Sequence, residues 1–275
     1  MFLTFPRVFS LNLQIAGNSI RQVGEPAFRA EGTLTRFSFG RREEGYLFKP
    51  NNQDWDVLIV KKAKLLPVTC SRIVQADIDP QAAEMDLSDT HWLRHPLLNL
   101  DNDRQDRAAH ALETLNTWSD TFSYLEESRS SGRIGLRPPQ LGALHAIRAH
   151  WVLEDSSATI VLPTGTGKTE TMLATLVSVP CSKILVIVPT DSLRAQLAQK
   201  FTTLGILKHP GSRVLKETAR CPIVCMLCHI PTISTVNNVC TVSNVIVTTS
   251  SIAAQCSPEV QGRLSTLRCW RHCCV

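Results

Sequence analysis

No apolar run in this sequence approaches the roughly 20 residues needed to cross a bilayer as a helix. The runs present, such as Ile184 to Val188, are strand-sized. No secretory leader is expected either. Met1 to Phe5 are apolar, but Pro6 and Arg7 interrupt them, and no small-residue cleavage site follows a sustained hydrophobic core. There is no internal repeat and no large excess of charge. The 29 Lys plus Arg against 24 Asp plus Glu leave +5, which permits a polyanionic partner without the surplus of a dedicated nucleic-acid coat. Membrane-spanning and secreted classes are set aside, and a soluble globular protein is expected. A hydrophobic content of 43% over 275 residues allows one large or two ordinary domains with real cores.

What is present changes character along the chain. From Phe2 to about Val68, β-type runs, TLTRFSF (33–39) and DVLIV (56–60), alternate with turn-rich pieces such as Pro50, Asn51 and Asn52, the pattern of a small β-rich module. Residues 71–106 are polar, with Asp79-Pro80 and NLDNDRQD, and read as a loop or weakly ordered connection. Leu112, Leu115, Phe122 and Leu125 recur at near-helical spacing, which predicts an amphipathic helix over 107–128 ending in the flexible joint SRSSGR. Beyond it, 158–162 and 184–188 are continuous apolar runs of the kind buried in parallel sheets, each followed by a helical pattern; Leu193 and Leu197 share a face of the second. This is the βαβ grammar of a nucleotide-binding α/β domain. The organisation expected is a β-rich accessory module (1–106), a helical linker (107–130) and an α/β domain with helices on both faces of a parallel sheet (131–275).

The turn after the first apolar run is PTGTGKT (163–169). Gly165 and Gly167 free the backbone to curl so that amide hydrogens converge on phosphate oxygens at the positive end of the following helix. Lys168 would neutralise β- and γ-phosphates, and the Thr169 hydroxyl would hold Mg2+. The full loop pattern wants a glycine where Leu162 stands. The competing reading is a glycine-containing turn with an ordinary surface lysine. A dinucleotide fingerprint fits poorly, because Glu170 occupies the place of its third glycine.

Around this loop the sequence resembles the first, RecA-like motor domain of superfamily-two helicases of the DEAD/DEAH-box class, in which the loop commonly has this form, with no early glycine. LRPPQLGALHAI (136–147) is similar to the family's adenine-reading motif. The resemblance gives nucleotide contacts to Arg137, Gln140, Thr164, Gly165, Thr166, Gly167, Lys168 and Thr169. Gln140 would face the base edge, its amide supplying both a donor and an acceptor; the alternative for Gln140 is a helix-start residue facing solvent. Leu141, Leu144, Ile147 and Trp151 give the next segment an apolar helical face. IVPTDSLRAQLAQKF (187–201) resembles the family's next motif, making Thr190, Ser192 and Gln196 candidates for nucleic-acid phosphates. Simple helix capping is the equal alternative. VIVTTSSIAAQ (245–255) resembles the third strand with its threonine-bearing turn, adding Thr248 and Thr249. The resemblance covers 136–255 and implies an ATP-dependent helicase with ATP and Mg2+ as cofactors, acting on DNA rather than RNA because the motifs look most like the restriction and repair branch.

One element of that family has no counterpart here. The Asp-Glu pair that follows a fourth strand, needed to hold Mg2+ and orient water, is not found, and neither LEDSS (153–157) nor MDLSDTH (85–91) lies in the right order. CWRHCCV (269–275) stands where an aliphatic run belongs. The expectation is therefore a truncated or frame-shifted fragment, foreign from near Leu267, that binds ATP without unwinding anything unless a complementing chain supplies the rest. The alternatives are a non-catalytic binding module or a nonfunctional fragment.

Eight of the ten cysteines lie between Cys221 and Cys274. In a chain with a phosphate loop they read as reduced thiols of the cytoplasm. Zinc through Cys221, Cys225, Cys228 and Cys240 is the least implausible metal site, against buried or incidental thiols.

Overall fold

The computed structural model describes residues 1–39, 43–62, 66–98, 106–154, 156–179, 183–209 and 211–271. It divides into two compact units, Met1–Leu11 with Val23–Asn102, and Asn12–Gln22 with Asp103–Val275.

The amino-terminal part of the chain contains strands β1 (Phe2–Phe5), β2 (Val8–Ile15), β3 (Asn18–Glu25), β4 (Phe28–Phe39), β5 (Glu43–Pro50), β6 (Val57–Val60), β7 (Ile73–Gln75), β8 (Glu84–Asp86) and β9 (His91–Arg94). Seven of them form a sheet in the order β8-β1-β4-β5-β6-β7-β9. The long β4–β5 pair is antiparallel, running from Gly32↔Pro50 to Phe39↔Glu43. Every residue of β6 is buried. Val57 and Ile59 join a cluster with Leu3, Phe5, Phe48 and Trp92, while Leu58 and Val60 join one with Phe39, Cys70 and Ile73. The alternation of side chains along a strand separates these two sets onto opposite faces. Residues 71–98 correct the loop expected there, since β7, β8 and β9 all lie within it. Short strands of three or four residues in polar surroundings carry too few periods to be legible. Most of NLDNDRQD (99–106) lies outside the described residues.

The second unit contains α1 (Asp106–Asn116), α2 (Pro138–Leu153), α3 (Lys168–Ser178), β10 (Ile184–Val188), α4 (Asp191–Thr203), β11 (Val224–Met226), α5 (Ile233–Val242), β12 (Val245–Thr249), α6 (Ser250–Gln255), α7 (Pro258–Ser265) and β13 (Arg268–Arg271). Its sheet has the order β13-β10-β12-β11-β3-β2. The first four are mutually parallel, and β3 joins β11 antiparallel, Ile20 opposite Cys225. Ile184, Val186, Val245 and Val247 share one face and pack with Leu144, Leu173, Leu197 and Phe201. Their neighbours Leu185, Ile246 and Cys225 are equally buried, so both faces are covered, as a parallel arrangement requires.

The tip of the β2–β3 hairpin, Asn12–Gln22, belongs to this second unit although the sequence places it in the amino-terminal module. Ala16 and Gly17 both have positive φ, the twist that suits a two-residue hairpin turn. Asn18 is fully buried and accepts the N–H groups of Cys228 and His229 at 2.8 and 3.2 Å. Gln22 donates to the Cys221 carbonyl at 2.7 Å and to Thr114 at 3.1 Å. Asn244 links the Ala111 carbonyl and the Ile223 N–H.

Three further expectations are corrected. The helix over 107–128 stops at Asn116: Asp120 is left-handed and the Trp118 indole donates to the Arg220 carbonyl, so Phe122 and Leu125 reach the core from irregular chain. The apolar run 158–162 is no strand. Its residues carry no regular structure and join neither sheet, and Val161 is 79% exposed. Conversely, a strand does form after Leu267: β13 pairs with β10 from Ile184↔Arg268 to Ile187↔Arg271. A ladder uses backbone groups and does not require an aliphatic sequence. Residues 272–275 of the tail, with Cys273 and Cys274, lie outside the described residues. Among the described residues no helix is long and apolar enough to cross a membrane.

One buried ring in the first unit sets a pH dependence. Burial pushes the His95 imidazole down from 6.5 to about 4, and the Arg72 guanidinium acts in the same direction. Nδ1 accepts the Leu97 N–H at 3.2 Å, a role open only to an unprotonated nitrogen. Between pH 6.5 and 4 the unfolded chain binds a proton at this ring and the folded chain does not, so stability falls as pH falls through that window and is fully present above it. Glu25, 3.5 Å from Nε2 and raised by burial, works in the opposite sense. The melting temperature of His95→Gln should therefore fall less steeply than that of the wild type between pH 6.5 and 4, measured by circular dichroism; parallel curves would refute the assignment.

Candidate functional site

The segment 163–168 is shaped by two glycines. The Thr166 N–H returns to the Pro163 carbonyl at 3.3 Å, and the Thr166 hydroxyl donates to the same oxygen at 2.6 Å. Gly165, at φ 82°, occupies the third place of this turn, where a side chain would be strained. Gly167, at φ 89°, is the N-cap of α3 and offers no side chain to the helix. The N–H groups of Lys168, Thr169 and Glu170 thus have no partner within the helix, and the macrodipole adds partial positive charge at the same place.

Side chains at the start of α2 hold the loop from behind. Gln140 is 4% exposed. Its Oε1 accepts the Arg137 N–H at 2.9 Å and its Nε2 donates to the Thr166 carbonyl at 3.0 Å, with the Gly167 carbonyl at 3.5 Å. The Arg137 guanidinium donates to the Gly165 carbonyl at 3.0 Å, while its Nε lies 3.7 Å from Glu127. A peptide unit directs its N–H away from its C=O. Tying the carbonyls of residues 166 and 167 to α2 therefore turns the amides of Gly167 and Lys168 to the opposite side. Lys168 and Thr169 are half-buried, and neither makes a side-chain hydrogen bond or ion pair among the described residues. Thr164 is exposed. Glu170 is held by Lys200 of α4 at 3.3 Å, away from the role of a free acid.

The loop residues are thus brought together: Arg137, Gln140 and Thr164–Thr169 form one contiguous arrangement. The polymer candidates occupy the carboxyl ends of parallel strands. Thr248 and Thr249 lie opposite Ile187 and Val188 in the ladder, and Thr190 follows two residues after Val188. Thr190 and Thr249 cap α4 and α6 by accepting the N–H groups of Leu193 and Ile252, each at 3.3 Å. Thr248 is 1% exposed. Ser192 and Gln196 are exposed on the first turns of α4. Arg194, singled out by no motif, is buried beside them and pairs with Asp191 at 3.0 Å.

Glu127 and the loop-facing use of Gln140 were not assigned from sequence. A glutamine three residues into a helix is a known capping signal and could have flagged the second; Glu127 falls at the end of the stretch 107–128 read as a helix, where nothing in the pattern sets one charged residue apart. Of the cysteines, Cys221, Cys225 and Cys240 are buried, and burial raises all three thiols. Among the described residues no group of His, Cys, Asp and Glu is placed to hold a metal ion.

Residues 133–238 match the sequence family described as type III restriction enzyme, res subunit, a helicase-superfamily ATPase domain. The match covers less than half of the chain. No curated protein and no solved structure matches it.

The loop geometry ranks glycine substitutions. A Cβ on Gly167 would lie 2.0 Å from Gln140 Nε2, whereas one on Gly165 or Gly142 meets nothing within 4 Å. Gly167→Ala combines left-handed strain with a broken buried hydrogen bond, about 2–4 kcal/mol together. Gly165→Ala carries the strain alone, about 1–2 kcal/mol, and Gly142→Ala, inside α2, should stabilise by about 0.5–1 kcal/mol. Urea denaturation midpoints in any other order would contradict this picture of the loop.

Proposed function

We propose that residues 131–275 are a RecA-like P-loop module of a superfamily-two, DEAD/DEAH-box type helicase, binding ATP with Mg2+ and contacting nucleic acid, with residues 1–106 as an accessory module and 107–130 as the linker. The observation that carries this reading is the loop itself: two left-handed glycines, a helix amino end with no side-chain cap, and Lys168 without an ion pair among the described residues, in a segment matching a helicase-superfamily family. The outward amides of Gly167 and Lys168 suit phosphate oxygens. Lys168 would neutralise the phosphates and Thr169 would supply its hydroxyl to Mg2+.

DNA is favoured over RNA because the motifs look most like the restriction and repair branch. Thr190, Ser192, Gln196, Thr248 and Thr249 are the proposed polymer contacts, and the hydroxyls of Thr190 and Thr249 cap helices whose free amides can meet phosphate. An ATP-containing compartment, the cytoplasm, follows from the ligand. Bound Mg2+ supplies charge neutralisation of the phosphates; hydrolysis further needs carboxylates to hold it and orient water. No Asp-Glu pair follows β10, β12 or β13 in this sequence. Turnover and unwinding would then depend on groups from outside these residues, such as a complementing chain. The second reading, resting on the phosphate loop alone, is a binding module without catalysis.

Titration calorimetry with Mg-ATP tests both. Lys168→Ala should weaken binding by about 10- to 100-fold, the loss of one charge-assisted contact, with the melting temperature retained. Undiminished affinity in that variant would end the phosphate-loop reading. Turnover by the purified chain that Lys168→Ala abolishes would decide for the enzyme over the module.

A further inference from the structure

We propose that Gln140 and Arg137 are positioning residues for the phosphate loop and that the site selects a triphosphate chain with little regard to the base attached to it. This rests on the reading of the loop as a triphosphate site. The ligand class it names is nucleoside triphosphates in general, with inorganic tripolyphosphate as the minimal member.

Reading an adenine edge through a side-chain amide requires the oxygen to accept from N6 and the nitrogen to donate to N7. Both ends of Gln140 are already engaged. Its Oε1 takes the Arg137 N–H at 2.9 Å, its Nε2 gives to the Thr166 carbonyl at 3.0 Å, and the residue is 4% exposed. The amide nitrogen also fills the space left by the missing side chain of Gly167, where a Cβ would sit only 2.0 Å away. Turning the amide toward a base would give up the loop bond and leave the Thr166 carbonyl without that donor.

Strong discrimination arises where the wrong ligand leaves a buried polar group of the site unpaired. Here the amide has protein partners whatever base is present, so guanine in place of adenine strands nothing. Arg137 is committed in the same way, to the Gly165 carbonyl on one side and Glu127 on the other. What the two residues set is the direction of the loop's peptide units, and hence the aim of the amides that meet phosphate. Their substitution should therefore lower affinity for a ligand that has no base at all.

The test is calorimetric titration of the full chain with ATP, GTP and inorganic tripolyphosphate, each with Mg2+, in the wild type and in Gln140→Met, which keeps the volume and removes the amide. Wild-type affinities for ATP and GTP should agree within about threefold, and Gln140→Met should weaken all three ligands by a similar factor, about tenfold. A wild-type preference for ATP over GTP above about tenfold overturns the proposal. So does a tripolyphosphate affinity that Gln140→Met leaves untouched; in either case the triphosphate site itself stands. Failure of all three ligands to bind the wild type removes the underlying site and the proposal with it. If circular dichroism shows that Gln140→Met does not fold, the wild-type ratio of ATP to GTP still decides.

Discussion

The peptide carbonyls of Gly165, Thr166 and Gly167 are tethered on one side by α2, and the character of the site depends on that restraint. A glycine-rich turn left to itself samples many orientations of its peptide planes. Here Arg137 and Gln140 fix them from below, and α3 fixes them from beyond, because Met172, Leu173, Leu176 and Val177 are locked in the same core as Leu144 of α2. The two helices thus form a rigid back wall. The segment entering the loop has no such support: 158–162 has no ladder and Val161 faces solvent. Pre-organisation of the amides therefore comes from helices rather than from the strand that sequence patterning put in charge of it.

A second restraint acts on the sheet of the same unit. The strand β11 would present an edge of unpaired backbone groups, and the hairpin tip around Ala16–Gly17 covers it through β3. Asn18, Gln22 and Asn244 hold that arrangement by side-chain amides that are almost wholly buried and bonded to backbone. Removing one such partner leaves a buried polar group unsatisfied, at about 1–3 kcal/mol. Eleven residues near the amino terminus, far in sequence from the loop, are thereby part of the unit that carries it.

Much of this was legible in the sequence where periodicity is long or the backbone demand is special. β10 spans the same five residues as the apolar run 184–188, α2 contains the face of Leu144 and Ile147, and both loop glycines are left-handed. Legibility failed for three physical reasons. Strands as short as β7, β8 and β11 carry no usable period. Apolar residues at helical spacing need not share a helix: Phe122 and Leu125 reach the same core as Leu115 after the chain has turned at Asp120. And burial depends on partners that a linear pattern cannot supply, so 158–162 reads as a core strand yet joins neither sheet.

The threonines proposed as polymer contacts are already engaged or buried within the protein. In Thr190 and Thr249 the hydroxyl already accepts an N–H from its own helix, and in Thr248 it is shut from solvent. A hydroxyl can donate while it accepts, so a cap can also give its proton to a phosphate oxygen. In the proposed function the direct contribution of each such contact would be small beside that of the amides of the first helical turn, which carry the dipole of the helix. If this edge grips nucleic acid, it does so mainly through backbone, and that is why the side chains alone identify it so weakly. Contacts of this kind position a strand without reading its bases. In the proposed function, nucleotide and polymer would each meet the amino end of a helix that follows a turn or strand, α3 for the first and α4 for the second.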